Sequence, residues 1–218
     1  MTEFLLIRHG ETDWNRQLRF QGQIDVPLNE LGLAQADRLA RHLSQSEWDQ
    51  ALELHCSDLL RARQTAAPMA NERRVLQAQE GLREQGFGVF EGQSVAELQQ
   101  QQPDLWAQWR RFDADFELPG GESTQRFHGR VMQTLAQLAE QHWGERLVVV
   151  THGGVLDMIW RHAKQHTLDG RRVCDIPNAG INQVSYQDGQ WKVVSWADTE
   201  HLTDLPPQPV YHQTQLKV

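Results

Sequence analysis

Two short apolar segments constrain the fold of this chain most strongly, because each of them ends in histidine followed by glycine. Residues 4–7 lead into an Arg-His-Gly triplet that contains His9, and residues 147–150 lead into a Thr-His-Gly triplet that contains His152. Continuous apolar runs of this length are typical of strands in a parallel sheet whose two faces are both covered. The glycine after each histidine ends the strand and lets a ligand approach the backbone closely.

Helical and strand-like segments alternate along the rest of the chain. Apolar spacing predicts helices over 31–43, 60–71 and 123–143, strands over 51–56 and 75–76, and a β-hairpin around Asp188-Gly189. This alternation indicates an α/β fold with a mainly parallel sheet. Ligands in such sheets bind beyond the carboxyl ends of the strands, so His9 and His152 are both expected at the binding edge.

The charge balance limits the classes of partner. Lysine and arginine together number 21 and aspartate and glutamate 29, which gives a formal net charge of −8. A general nucleic-acid-binding protein needs a basic face, so this class is not expected. A small anionic substrate remains compatible, because a local group of arginines can oppose the overall sign of the charge.

Cysteine usage and hydropathy indicate the compartment. Cys56 and Cys174 form neither a disulfide framework nor a CxxC metal motif. The apolar run near the N-terminus is too short for a signal peptide, and no segment approaches the ~20 apolar residues of a membrane span. We therefore expect a soluble, cytoplasmic protein without a membrane partner.

The first histidine has an arginine beside it. An imidazole at a strand end can act as a metal ligand, a general base or a nucleophile. The neighbouring Arg8 indicates an anion with several oxygens, such as phosphate, and Asn15 and the Gln21-Gly22 pair supply neutral donors nearby in sequence. A single histidine of this kind is more often structural, but two His-Gly strand ends in one chain favour a functional site.

Four segments of the chain resemble the motifs of one family, the histidine phosphatase superfamily or phosphoglycerate mutase-like proteins. They are residues 8–12 (RHGET), 57–66 (SDLLRARQTA), 84–92 (EQGFGVFEG) and 151–154 (THGG), in the order typical of the family. One such motif is weak, whereas the four together are highly specific. The resemblance implies a three-layer α/β/α sandwich around the sheet and a phosphoryl-transfer site at the two histidines.

The resemblance also implies a role for each matching residue. His9 would be the nucleophile that becomes phosphorylated, and Glu84 would donate a proton to the leaving group and later activate water. The phosphoryl group would be surrounded by Arg8, Arg61 and His152, with supporting contacts from Asn15, Gln21, Gly22 and Gly153. Two arginines and two histidines supply the positive charge, so neither a metal nor another cofactor is expected.

The loop that begins at Glu84 separates two branches of the family. In the mutases it typically runs Glu-Arg-His-Tyr-Gly, whose cations grip a substrate carboxylate, whereas residues 84–88 carry no cation here. This difference favours a phosphatase over a phosphoglycerate mutase. Arg110 and Arg111 resemble an arginine pair of the mutases, although a solvated helix face explains them equally well. A non-catalytic phospho-ligand-binding protein is a further alternative, disfavoured because the nucleophile, the acid and the pocket arginines are all present.

The remaining features set the expected organisation. One domain is expected over residues 1–200, with 92–122 as a helical insertion over the site and 201–218 as a loose, proline-containing C-terminal tail. His162 and His166 have a spacing that could hold a metal, but no third ligand accompanies them, so no metal site is predicted. The substrate is expected to be a small phosphorylated metabolite, and the protein a monomer or homodimer.

Overall fold

A mixed six-stranded sheet forms the centre of the computed structural model, which describes residues 1–208. Its strands are β1 (Thr2–Arg8), β2 (Glu53–Ser57), β3 (Leu76–Gln79), β4 (Arg146–Thr151), β5 (Ile181–Gln187) and β6 (Gln190–Asp198). The order across the sheet is β3-β2-β4-β1-β5-β6. β1 to β4 run parallel to one another, β5 pairs antiparallel with β1, and β6 pairs antiparallel with β5. Both the mainly parallel sheet and the hairpin around Asp188 are confirmed.

Seven α-helices and several short 3₁₀ turns connect the strands within residues 1–208. The helices are α1 (Asp13–Arg16), α2 (Glu30–Ser44), α3 (Leu60–Ala66), α4 (Val95–Gln101), α5 (Pro103–Trp109), α6 (Thr124–Gln141) and α7 (Gly153–Ala163). Side-chain oxygens cap α2, α4 and α6, because Asn29, Ser94 and Ser123 each accept a backbone N–H of the first turn. The helix predicted over 60–71 ends earlier, at Ala66, and a 3₁₀ turn containing Pro68 follows it. Proline removes a helix hydrogen bond and crowds the preceding turn, which explains the early end.

The sheet is buried on both faces. In β1, Phe4 and Leu6 pack into the core formed with α6 and α7, whereas Leu5 and Ile7 pack into the core formed with α2 and α3. The residues of β4 alternate between the same two cores. Because residues 4–7 and 147–150 are covered on both faces of the sheet, these segments are apolar throughout. The layers are therefore helix, sheet and helix, as expected for a three-layer α/β/α sandwich.

Residues 92–122 form a separate, aromatic cluster. Its buried members Leu98, Trp106 and Leu118 pack with Phe90 from the preceding loop, and Phe20 lies against them. Trp106 and Trp109 stack with ring centroids 5.2 Å apart. The segment thus has a small core of its own, which fixes α4 and α5 beside the carboxyl edge of the sheet.

The first part of the C-terminal tail is packed, which corrects the expectation of a loose segment from residue 201 onward. Leu202 is only 7% exposed and lies in the core beneath α2. Arg38 of α2 forms a two-pronged ion pair with Asp204, and Gln208 exchanges two hydrogen bonds with the backbone of Asn178. The prolines of this segment predicted a tail without packing contacts, but the apolar side chain of Leu202 anchors the segment in the core. Residues 209–218 lie outside the described part.

Within residues 1–208, none of the helices has the length and apolar character required to cross a membrane.

The packed tail yields a stability prediction. Leu202→Ala should lower the free energy of unfolding by about 2–4 kcal/mol, because it leaves a cavity in the core. Leu33→Ala, at a residue that is 48% exposed on the same helix layer, should change it by less than about 0.5 kcal/mol. Urea denaturation of both variants measures the difference. Equal effects would mean that the tail does not contribute to the fold.

Candidate active site

The site lies where four parallel strands end. His9 follows β1, His152 follows β4 and Arg61 lies in the first turn of α3 after β2. Glu84 lies in the loop after β3. Neighbouring parallel strands end at one edge of a sheet, so the strand order β3-β2-β4-β1 brings these four residues to that edge in the same order.

The two histidines are held side by side by the register of β1 and β4. Arg8 pairs with Thr151 at the ends of these strands, and the His9 backbone N–H donates to the Thr151 carbonyl over 2.8 Å. The two imidazole centroids are 5.2 Å apart. Both side chains are buried, with His9 2% and His152 0% exposed.

His9 is oriented with one ring nitrogen available. Its Nδ1 lies 2.7 Å from the Gly10 carbonyl oxygen. A carbonyl only accepts, so Nδ1 carries the hydrogen and the lone pair of a neutral ring is on Nε2. The Gly10 loop is held by the Thr65 hydroxyl, which accepts the Gly10 N–H, and by Asn178, whose amide donates to the His9 carbonyl.

Burial and neighbouring guanidinium groups keep both imidazoles neutral. Burial, then the charges of Arg61 and Arg8, hold the pKa of His9 well below its usual value, against the Gly10 hydrogen bond. Burial, Arg61, His9, Arg8 and Arg130 lower the pKa of His152 in the same way. Neither ring nitrogen of His152 has a hydrogen-bond partner within residues 1–208. A buried ring nitrogen without a partner is suited to donate a hydrogen bond to the oxygen of a bound anion.

Arg61 is a buried cation fixed by backbone carbonyls. Its side chain is 1% exposed, and its two terminal nitrogens donate to the carbonyls of Ile24 (2.9 Å) and Gly22 (2.7 Å). Burial lowers its pKa to about 10, opposed by carboxylates that include Glu84, so it is charged at neutral pH. Its Nε has no partner among the described residues and remains for a ligand.

Two further guanidinium groups lie close to Gly153. A Cβ built on this glycine would lie 3.4 Å from Arg8 Nε and 3.5 Å from Arg172 Nη1, and Arg8 is itself anchored to the Ile176 carbonyl over 2.6 Å. Gly153 is also the first residue of α7, whose N-terminus carries a partial positive charge. Cations and helix end together make this a pocket for an anion.

Glu84 faces the same helix end. Its two carboxylate oxygens accept the N–H groups of Gln85 (2.9 Å) and Gly154 (3.0 Å). A side chain at Gly154 would collide with this carboxylate, so the contact requires glycine there. The Glu84 carbonyl is held by Gln23 and Arg130. The acid therefore has a fixed position next to the anion pocket.

A cavity of about 110 Å³ opens beside Glu84. On the site side it is lined by Glu84, Gly154 and Arg172, and on the other side by aromatic rings of the 92–122 segment and its surroundings. Those rings are Phe87, Trp109, Phe112, Phe116 and Phe127. Carboxylates of Asp113, Glu122 and Asp157 complete the lining. Arg110 and Arg111, the possible mutase-like pair, are not among the described residues that line it.

The remaining predicted residues support the loops of the site. Gly22 has a positive φ of 49°, and a side chain there would collide with the Glu91 carboxylate. Gln21 is buried, and its Oε1 has no partner within residues 1–208. Thr12 caps α1, and Asn15 completes the capping box, because its Oδ1 accepts the Thr12 N–H. The oxygen of Asn15 thus stabilises the loop, and only its amide hydrogens remain for a ligand.

Sequence reasoning missed four residues of the site. Glu91 joins two loops, because its Oε1 accepts the N–H groups of Gln23 and Phe87. Arg130 and Arg172 add positive charge, and Asn178 holds the His9 carbonyl. Glu91 lies inside a recognised motif and could have been singled out there. The other three are distant in sequence and carry no local pattern.

The His162 and His166 rings, weighed as a metal pair, have separate partners. His162 Nδ1 lies 3.1 Å from His128 Nε2, and His166 Nδ1 lies 3.1 Å from the Thr167 carbonyl.

The neutral histidines predict a loss of stability in acid. His9 and His152 take up protons near pH 6.5 when unfolded but only at lower pH when folded, so the unfolded state gains protons first. The free energy of unfolding should therefore fall below pH 6.5, by up to about 1.4 kcal/mol per pH unit for each histidine. Urea denaturation in phosphate-free buffer between about pH 7.5 and 5 measures the slope. His152→Asn should have a shallower slope than the unmodified protein, and equal slopes would contradict the neutral pair.

Comparison with known proteins identifies the family. The model of the histidine phosphatase superfamily (branch 1) matches residues 4–199. A metal-independent phosphoserine phosphatase of Arabidopsis thaliana is 37% identical over 94% of this chain and 85% of its own length. Phosphoglycerate mutase-like protein 4 of the same plant is 34% identical over 93% of this chain and 87% of its own length. A mutant phosphoserine phosphatase from Entamoeba histolytica, solved in complex with phosphoserine, superposes with a TM-score of 0.80 at 26% identity, covering 93% of this chain and all of that one. The resemblance seen in the motifs is confirmed, and the chain belongs to the histidine phosphatase superfamily.

Proposed function

We propose that this protein is a metal-independent phosphomonoester phosphatase that acts through a phosphohistidine at His9. The observation that carries the proposal is the state of His9. Its Nδ1 hydrogen is held by the Gly10 carbonyl, and burial together with the charges of Arg61 and Arg8 lowers the pKa of its ring and keeps it neutral. A neutral imidazole with a bare Nε2 is a nucleophile, and the surrounding cations attract the phosphoryl group that it would attack.

In the first step, His9 Nε2 attacks phosphorus. The P–N bond forms while the ester P–O bond breaks, and Glu84, in its protonated form, gives its proton to the departing oxygen. Charge spreads over three phosphoryl oxygens, which Arg8, Arg61 and His152 are positioned to stabilise. The Gly10 carbonyl stabilises the positive charge that develops on the imidazole.

In the second step, water attacks the phosphohistidine. Glu84 is then ionised and accepts a proton from the water, while the P–N bond breaks and returns the electron pair to His9 Nε2. Inorganic phosphate leaves, and Glu84 holds the proton needed for the next cycle. The side chains of five residues, His9, Glu84, Arg8, Arg61 and His152, carry both steps.

The proposed substrate is a small phosphorylated metabolite. A cavity of about 110 Å³ beside Glu84 suits a leaving group of a few non-hydrogen atoms. Arg172 and the carboxylates of the lining match a leaving group with both a carboxylate and an ammonium. Phosphoserine has both, and two proteins similar to this chain are named for its hydrolysis.

The proposal includes the organisation expected from the sequence. Residues 1–200 would act as one catalytic domain, and the helical insertion 92–122 would cover the leaving group through Trp109, Phe112 and Phe116. The protein would act in the cytoplasm, as a monomer or homodimer, on its metabolite and not on nucleic acid.

Phosphoglycerate mutase activity is the alternative, because one relative is named phosphoglycerate mutase-like protein 4 and another is named a probable phosphoglycerate mutase. A mutase needs cations to grip the substrate carboxylate and must exclude water from the phosphohistidine. Arg172 can grip a substrate carboxylate in either reaction. Arg110 and Arg111, the pair that resembles one of the mutases, do not line the cavity among the described residues, which favours hydrolysis. The complete set of reacting groups disfavours a protein that only binds a phospho-ligand.

A panel of phosphomonoesters assayed in EDTA separates these functions. We expect release of inorganic phosphate, with phosphoserine among the better substrates. We expect no transfer of the phosphoryl group from one hydroxyl position of phosphoglycerate to the other, with or without 2,3-bisphosphoglycerate. Activity that is lost in EDTA and restored by Mg²⁺ or Zn²⁺ would contradict the mechanism.

Trapping of the intermediate tests the roles of His9 and Glu84. Glu84→Gln lacks the base for the second step, whereas a nitrophenyl phosphate needs little protonation in the first. Phosphohistidine should therefore accumulate in this variant and appear by mass as an acid-labile, base-stable adduct on the His9 peptide. His9→Ala should form no adduct. An adduct on His152 would exchange the roles of the two histidines.

Vanadate binding tests the anion pocket. Arg61→Ala removes a buried cation and should weaken binding by about 1.5–3 kcal/mol, the scale of a hydrogen bond to a charged group. Arg63→Ala, at an exposed arginine of the same helix, is the matched control and should change the affinity little. Titration calorimetry measures both. An unchanged affinity in Arg61→Ala would remove Arg61 from the pocket.

A further inference from the structure

A second cluster of polar side chains lies at the opposite edge of the sheet. Glu53 is the first residue of β2, His55 follows two positions later on the same face, and His142 comes directly after α6. β4 begins at Arg146 beside this cluster and ends before His152, so one strand length, about 16 Å, separates it from the phosphoryl site. None of its residues takes part in the mechanism above.

The three side chains converge to within ligand distance of one point. Glu53 Oε2 lies 3.6 Å from His55 Nε2 and 3.9 Å from His142 Nε2, and one ligand atom from each residue lies within 4.8 Å of the others. Tetrahedral zinc with bonds of about 2.0–2.1 Å keeps its ligand atoms about 3.4 Å apart. Movements of these side chains by a few tenths of an ångström to about one ångström would therefore place the three ligand atoms at bonding distance from one ion.

Neighbouring groups orient the two imidazoles. His142 Nδ1 lies 3.0 Å from Glu145 Oε2, so Nδ1 carries the hydrogen and Nε2 offers its lone pair towards Glu53. The Gln79 side-chain amide lies 3.2 Å from His55 Nδ1. With the amide rotated, its oxygen accepts the Nδ1 hydrogen and leaves Nε2 bare. A carboxylate or amide behind each ligating histidine is the usual support of a metal site.

His55 gives the independent sign of a missing ligand. Its side chain is 1% exposed, and its Nε2 has no hydrogen-bond partner within residues 1–208. Glu53 is too distant for such a bond, and Gln77 already donates to the same carboxylate oxygen over 2.7 Å. A buried polar nitrogen without a partner is costly, and a cation bound at this point would satisfy it.

We propose that Glu53, His55 and His142 bind one Zn²⁺ ion, with water as the fourth ligand. Two imidazoles and one carboxylate form a donor set that suits zinc rather than magnesium or calcium. The side chains of Glu53 and His142 reach solvent, which gives the ion an entry path. The ion joins the start of β2 to the end of α6 and stabilises the fold, whereas phosphoryl transfer proceeds without it.

Zinc titration of protein stripped with EDTA tests the site. Calorimetry should give one strong site per chain, Co²⁺ should give the visible absorption of a tetrahedral complex, and Zn²⁺ should raise the melting temperature. His142→Gln and Glu53→Gln should each weaken binding at least tenfold and abolish the thermal shift. Both side chains are partly exposed, so the variants should fold. Glu145→Gln should weaken binding about 10–100-fold through the orientation of His142.

His162→Gln is the matched control at the other histidine pair and should bind zinc as the unmodified protein does. The proposal is overturned by absence of zinc binding, by unchanged binding in both ligand variants, or by loss of binding in His162→Gln. Competition by saturating vanadate would also overturn it, because it would locate the ion at His9 and His152. These readouts are independent of hydrolysis, so the zinc site and the proposed function succeed or fail separately.

Discussion

The parallel pairing of β1 with β4 is the constraint on which the site depends. Its register sets Arg8 beside Thr151, so the next residue of each strand, His9 and His152, falls at the same edge and below the surface. Burial in a row of apolar strands keeps both rings neutral. A slip of the register by one residue would move each side chain into the core on the other side of the sheet, where its size does not match its neighbours. Close packing in the two cores therefore also protects the geometry of the site.

The site concentrates positive charge in a protein whose formal net charge is −8. Arg61 donates to the main-chain carbonyls of Ile24 and Gly22, and Arg8 donates to that of Ile176, so both guanidinium groups have fixed positions at the site. Glu84 is held by two backbone N–H groups at the border of the same pocket. The fixed positions of these few charged groups, and not the net charge of the protein, determine which ligand the site can bind.

The sequence predicted those parts of the molecule that local patterns control. Apolar runs located β1 and β4, and the His-Gly pairs at their ends located the two histidines. Long-range packing was not predictable in this way. Leu202 anchors a segment whose prolines indicated a loose tail, and Arg172 and Asn178 reach the site from loops without periodicity. Their positions follow from the folding of the whole chain. Arg110 and Arg111 illustrate the converse, because a suggestive local motif does not line the cavity among the described residues.

The stereochemical course at phosphorus tests the central claim most directly. Transfer through His9 consists of two in-line displacements, each of which inverts the configuration of the phosphoryl group. A substrate with an isotopically chiral phosphoryl group, transferred by the enzyme to an acceptor alcohol, should therefore give a product of retained configuration. Inversion would mean that the acceptor attacks the substrate directly and that His9 only binds the phosphoryl group.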